Sequence, residues 1–196
     1  MKELQEKLIP IQWIYDYWKT WSQELDTKDI ILRVSDFDYT LFSRDQSFID
    51  VPELLENRWE KWPKYLFEEY WMNDFLDNQY KNIQLPTEIL SQLMPGQDII
   101  LTTGIHDWQM WKVRSCKQLN NIQVITTPSP AWKINALISH VLYELKYIPT
   151  EIIVYEDRPQ YFVEYRDLIQ DVLWTKLTIM KVEMDGNDGY KSIEKI

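Results

Sequence analysis

The 196-residue chain has a single cysteine, Cys116. No intramolecular disulfide is therefore open to it, and a reducing, cytoplasmic setting is the expectation. Cys116 falls in the helical run Asp107–Leu119, where a buried structural thiol is expected. The two histidines, His106 and His140, lie far apart, and no Cys/His spacing suits zinc. Four glycines provide no Gly-rich phosphate loop. With so few, Gly104 and the Pro95-Gly96 pair should mark real turns. Gly186 and Gly189 sit in a polar tail, Asp185–Ile196, expected to fray. No apolar run approaches the length of a membrane span, and the charged N-terminus does not read as a signal peptide. Basic residues are also short: 21 Lys and Arg against 31 Asp and Glu give a net charge of -10. That balance argues against binding nucleic acid through bulk charge, while leaving room for a local basic pocket.

What is present is a 45% apolar composition with ten tryptophans, enough for one domain, or one with a small insert. Residues 1–28 read as a helical lead-in opened by Pro10. Ile11, Ile14, Trp18, Trp21 and Leu25 recur at three or four residues and share a face. A strand follows at Ile30–Ser35. Residues 45–82 show no strand alternation; Leu54, Trp59, Trp62, Leu66, Tyr70 and Phe75 are spaced as on helices. Helices are then expected at Pro86–Met94, Asp107–Leu119, Pro130–Lys146 and Pro159–Ile169. They alternate with strands at Asp98–Thr102, Ile122–Thr126, Glu151–Tyr155 and Leu177–Val182. This βα alternation predicts an α/β fold with a doubly wound parallel sheet, Rossmann-like. Ligands of such sheets bind beyond the carboxyl ends of the strands.

Four segments at those ends carry chemistry. Asp36-Phe37-Asp38-Tyr39-Thr40 follows the first strand, with two carboxylates on one side of an extended backbone. Side by side they repel unless a cation or proton compensates. The pair suits phosphoryl chemistry: Asp36 as nucleophile, Asp38 as proton donor, and a divalent cation holding the phosphate. Ile99-Ile100-Leu101-Thr102-Thr103-Gly104 ends in hydroxyls able to bond a phosphate oxygen. Thr127-Pro128-Ser129-Pro130-Ala131-Trp132-Lys133 places Lys133 in the first turn of a helix, where the dipole favours anions. Ile152-Ile153-Val154-Tyr155-Glu156-Asp157-Arg158 ends in two adjacent carboxylates and a guanidinium. Arg158 has two readings, as a bidentate clamp on phosphate or as a partner that orients Glu156 or Asp157. Arg44 is a further phosphate-binding candidate.

Taken in order, the four segments resemble the motifs of the haloacid dehalogenase superfamily of phosphohydrolases, over roughly residues 29–182. The resemblance implies a small helical cap, residues 45–82, inserted between the first two motifs of a core spanning 29–196. It implies Asp36, Asp38, Thr103 and Lys133 as catalytic residues, and a Mg2+ site from Asp36, Asp38, Glu156 and Asp157. Thr40, Gly104, Arg158 and Arg44 would bind substrate. One departure is the adjacent pair Glu156-Asp157, where many members have Gly-Asp and a second Asp a few residues on. Asp157 is favoured as the direct metal ligand. Asp38-Tyr39-Thr40-Leu41-Phe42, Tyr155-Glu156-Asp157-Arg158 and the aromatic insert around Tyr70-Trp71-Met72-Asn73-Asp74 are similar to Swiss Army Knife RNA-repair phosphatase-like domains. The acidic pair followed by Arg also resembles the phosphatase half of polynucleotide kinase-phosphatases. The implied activity is Mg2+-dependent hydrolysis of a phosphomonoester, on a nucleic-acid end or a nucleotide. The alternatives are a small metabolite phosphate, transfer to another hydroxyl, or a non-catalytic binding module. An insert tryptophan, Trp59, Trp62 or Trp71, would stack on a base.

Overall fold

The computed structural model describes residues 12–43, 84–185 and 189–196. Pro10, Ile11, Arg44 and the expected insert at 45–82 lie outside the described residues. In chain order the elements are α1 (Gln12–Ser22), β1 (Thr27–Ser35), α2 (Thr87–Leu90), β2 (Ile99–Thr103), α3 (His106–Ser115) and a 3-10 turn (Lys117–Leu119). Next come β3 (Gln123–Thr127), α4 (Trp132–Ser139) running into a π-helical stretch (His140–Leu145), and β4 (Ile148–Glu156). Last are α5 (Gln160–Glu164), α6 (Arg166–Leu173), β5 (Lys176–Met184) and β6 (Tyr190–Lys195).

The six strands form one sheet in the order β3-β2-β1-β4-β5-β6. All pairings are parallel except β5 with β6, which is antiparallel. The fold is therefore α/β, with a mostly parallel sheet flanked by helices, compatible with a Rossmann-like arrangement. Alternate strand residues feed two separate cores, as the two-residue period of a strand requires. Leu32, Val34, Ile152, Val154 and Ile179 pack on one face with α4 and α6. Ile100, Tyr155 and Val182 pack on the other with Phe37, Leu85, Val113 and Leu119. Being covered on both faces is why the central strands read as continuous apolar runs.

Several boundaries move from expectation. The helix expected at Pro86–Met94 is one turn, because the chain bends through Ser91–Gln97 and Gly96 takes φ +78. That bend is fixed by Asp98, whose fully buried carboxylate accepts the amides of Arg33 (2.8 Å) and Met94 (2.7 Å). Burial raises the Asp98 carboxyl above its ordinary value, against the opposing pull of those two amides. The helix expected at Asp107–Leu119 ends at Ser115, since Cys116 is extended. The one expected at Pro159–Ile169 breaks at Tyr165 and continues to Leu173. The polar tail is corrected outright: Tyr190–Lys195 is an edge strand paired on β5.

Ile14 and Trp18 on α1 and Leu25 just beyond it join the core as the stripe predicts, but Trp21 is surface-exposed and packs near Tyr17 and Tyr143. Tyr15 and Lys19 tie the helix to α6: the Tyr15 hydroxyl donates to Asp171, and Lys19 Nζ lies 2.8 Å from both Asp171 oxygens.

The chain builds β1, β2 and β3 outward, then returns to lay β4 on the other side of β1. The strands that follow β1 and β4 in the chain, β2 and β5, therefore lie on opposite sides of that central pair. This is a topological switch point, the place where ligands of such sheets bind.

Candidate functional site

Three of the four chemical segments meet at that switch point. The Asp36 amide donates to the Tyr155 carbonyl (3.0 Å), extending the β1–β4 register by one residue and setting Asp36 beside Glu156. The chain then coils tightly: the amides of Thr40, Leu41 and Phe42 all donate to the Phe37 carbonyl at 3.3, 2.9 and 3.0 Å. Tyr39 adopts φ 62, in the left-handed region that non-glycine residues seldom enter. Phe37 and Phe42 stack at 5.6 Å and are fully buried, which anchors the turn in the second core. Asp36 and Asp38 are thereby held at the strand end, 7% and 8% exposed.

Lys133 enters from the first turn of α4, 4% exposed. Its Nζ lies 2.6 Å from Glu156 Oε2 and 3.0 Å from Asp36 Oδ1, bridging the ends of β1 and β4. Burial pulls the Lys133 ammonium down, but Asp36 and Glu156 outweigh it and hold the group above its ordinary value. Burial, then the Asp36 charge, pushes Glu156 well above the usual carboxylate range, with Lys133 opposing. Asp157 is raised by the same two causes in the same order.

Asp36, Glu156 and Asp157 each offer a carboxylate oxygen within 4.8 Å of the others. Three carboxylates against one buried lysine and one exposed arginine leave negative charge in a largely dry site. A bound cation relieves that repulsion. This donor set is all oxygen, so it fits a hard metal ion and does not single out Mg2+.

Asp38 lends no carboxylate to that cluster; as an expected ligand it would serve through its backbone carbonyl. Its side chain turns instead to α3, where Lys112 Nζ lies 2.5 and 2.6 Å from its two oxygens. Gln109 Nε2 donates to Asp38 Oδ2 (3.1 Å) and to the Thr103 carbonyl (2.8 Å). Gln109 and Lys112 were not among the residues expected from sequence. Their signal was present: 109, 112 and 113 form one inward helical face, and two of those three positions are polar.

The remaining candidates fall as follows. The Thr103 hydroxyl is 3.0 Å from that of Thr127, and the Gly104 amide donates to the Thr127 carbonyl (2.9 Å). Thr40 is fully buried, and its hydroxyl has no partner among the described residues. Arg158 is 68% exposed and stands 3.4 Å from Asp157, a contact suited to orienting that carboxylate. His106 Nδ1 pairs with Thr126 Oγ1 at 2.7 Å. His140 is buried, and neither ring nitrogen has a partner among the described residues.

Comparison of the chain with family models, with curated proteins and with solved structures finds no match.

Proposed function

We propose that the chain is a phosphomonoester hydrolase of the haloacid dehalogenase type, working through an aspartyl-phosphate on Asp36. One observation carries the reading: Asp36, Glu156 and Asp157 converge with Lys133 at the switch point, and Asp38 sits beside them outside the acidic cluster. Two carboxylates two residues apart thus have separate partners, Lys133 for Asp36 and Lys112 for Asp38, which lets them take separate roles. The resemblance of the four ordered segments to that superfamily supports the same reading.

Asp36, Asp157 and the backbone carbonyl of Asp38 would hold Mg2+, with Glu156 beside them. Mg2+, when bound, supplies positive charge against the phosphate oxygens and offsets their repulsion from Asp36. An Asp36 oxygen attacks phosphorus in line, forming the new P–O bond as the ester P–O bond breaks. Asp38 gives its proton to the departing oxygen. It then takes a proton from water, whose oxygen attacks the phosphorus and releases phosphate from Asp36. The Lys133 ammonium offsets charge on the phosphoryl group in both steps. The Thr103 hydroxyl is the further group assigned to phosphate; Arg158 keeps its two roles, as a clamp on phosphate or as the partner that orients Asp157.

The substrate is proposed to be a terminal phosphate of a nucleic acid or nucleotide. A chain at -10 gains little from a long phosphate backbone, so only the terminal nucleotide or two would be gripped, and affinity should fall only shallowly with salt. A small metabolite phosphate is the alternative. The test is phosphate release by purified protein with Mg2+ from 3'- and 5'-phosphorylated oligonucleotides, nucleotides and sugar phosphates. Asp36→Asn is the control. Release lost in Asp36→Asn supports the reading; release unchanged in that variant, or none from any substrate, contradicts it. Turnover confined to sugar phosphates would move the substrate and leave the chemistry.

A further inference from the structure

Resting on the phosphohydrolase reading above, we propose that Lys112 and Gln109 are positioning residues for Asp38, fixing the carboxylate that carries the leaving-group proton. Lys112 is 1% exposed, and no bulk water solvates its ammonium. Its Nζ reaches both Asp38 oxygens, at 2.5 and 2.6 Å, and stands 5.2 Å from the centroid of Phe37, the residue between the two aspartates. The ammonium is thus clamped between the carboxylate it orients and the ring that anchors the same turn.

Gln109 supplies the second constraint. Its amide nitrogen spans from the Thr103 carbonyl to Asp38 Oδ2, tying the end of β2 to the turn after β1. Its oxygen is buried with no partner among the described residues, so the side chain is held by its donor end alone. Gly104 makes room for it. A Cβ at Gly104 would come within 2.7 Å of Gln109 Nε2, and the backbone there, at φ +144, suits glycine. An acid that must meet a departing oxygen needs its rotamer locked by such neighbours.

A packing role and a positioning role differ in what they do to leaving groups. A misplaced proton carrier slows expulsion of a poor leaving group and spares a good one; a loosened fold slows both alike. The experiment measures kcat/KM, which reports the phosphorylation step, for p-nitrophenyl phosphate and for an alkyl phosphate such as glycerol phosphate, with Mg2+. Lys112→Met should lower the alkyl value on the order of 100-fold and the aryl value far less. Lys112→Arg should restore part of the loss, and Gln109→Ala should act in the same direction at about 10-fold. The double variant Lys112→Met with Asp38→Asn should be no slower than Asp38→Asn alone. Equal losses on the two substrates, or additive losses in the double variant, would overturn the assignment. If Lys112→Met does not fold, the Gln109→Ala leaving-group ratio decides in its place. Wild-type turnover that survives Asp36→Asn would instead remove the phosphohydrolase reading, and the positioning role with it.

Discussion

Replacing Lys133 by Met keeps the length of the side chain and deletes its charge. Two buried carboxylates, Asp36 and Glu156, then lose the cation that stands 3.0 and 2.6 Å from them. Breaking a buried pair by removing one partner costs about 3–5 kcal/mol, because the remaining charge has neither water nor counterion. In a chain of this size about 1 kcal/mol moves the melting temperature by about 2–4 °C, so Lys133→Met should melt about 6–20 °C below wild type. Mg2+ should return part of that stability. A ligand at about 100 times its Kd adds about 2.7 kcal/mol to the form that binds it. With the competing ammonium gone, the gain should be larger in the variant than in wild type. Thermal melts of both proteins, with Mg2+ and with chelator, measure all four quantities. A drop below about 2 °C would contradict the claim that Lys133 neutralises the site. A melting temperature indifferent to metal in both proteins would contradict the metal site.

Asp157→Ala should weaken Mg2+ binding, read by calorimetry, more than Glu156→Ala does, because Lys133 already engages Glu156 at 2.6 Å; the reverse order would transfer the ligand role to Glu156. His140 is held neutral by burial, which lowers its pKa from the ordinary 6.5, with Glu144 opposing. As pH falls through that value the unfolded chain binds the proton first, so this stability is present above about pH 6.5 and is lost below it, by up to about 1.4 kcal/mol per pH unit. Urea denaturation at two pH values on either side should show wild type losing more than His140→Met; equal losses would contradict the assignment. Ile179→Ala, at a fully buried position of β5, should cost about 2–5 kcal/mol by the same assay, and a cost under about 1 kcal/mol would mean the core closes around it.

The five parallel strands were legible because each is a short β-branched run flanked by polar or turn residues, and both of their faces are covered. What escaped notice lies where one face meets solvent. Tyr190-Lys191-Ser192-Ile193-Glu194-Lys195 reads as polar tail because an edge strand needs apolar residues on only one side. Ile148-Pro149-Thr150 opens β4, though proline discourages that reading; its missing amide is tolerated because the pairing with β1 is irregular between Lys28 and Ile31. The acidic cluster was legible because its three residues sit at strand ends, where chain order and topology together bring them close. Lys112 and Gln109 leave a signal as polar residues on an inward helical face, but it does not name their partner, because Asp38 is more than seventy residues away and a lysine within a helix ordinarily faces water.

The most direct test of the phosphohydrolase reading is to look for the phosphoryl group on the protein. Wild-type protein mixed with Mg2+ and a substrate it turns over, quenched in acid within one turnover and digested, should yield a phosphorylated peptide whose modified residue is Asp36. The phosphopeptide should be missing from Asp36→Asn and from samples with chelator. A phosphoryl group found on another residue, or turnover with no phosphoenzyme at any quench time even in Asp38→Asn, where its hydrolysis should be slowed, would contradict the account.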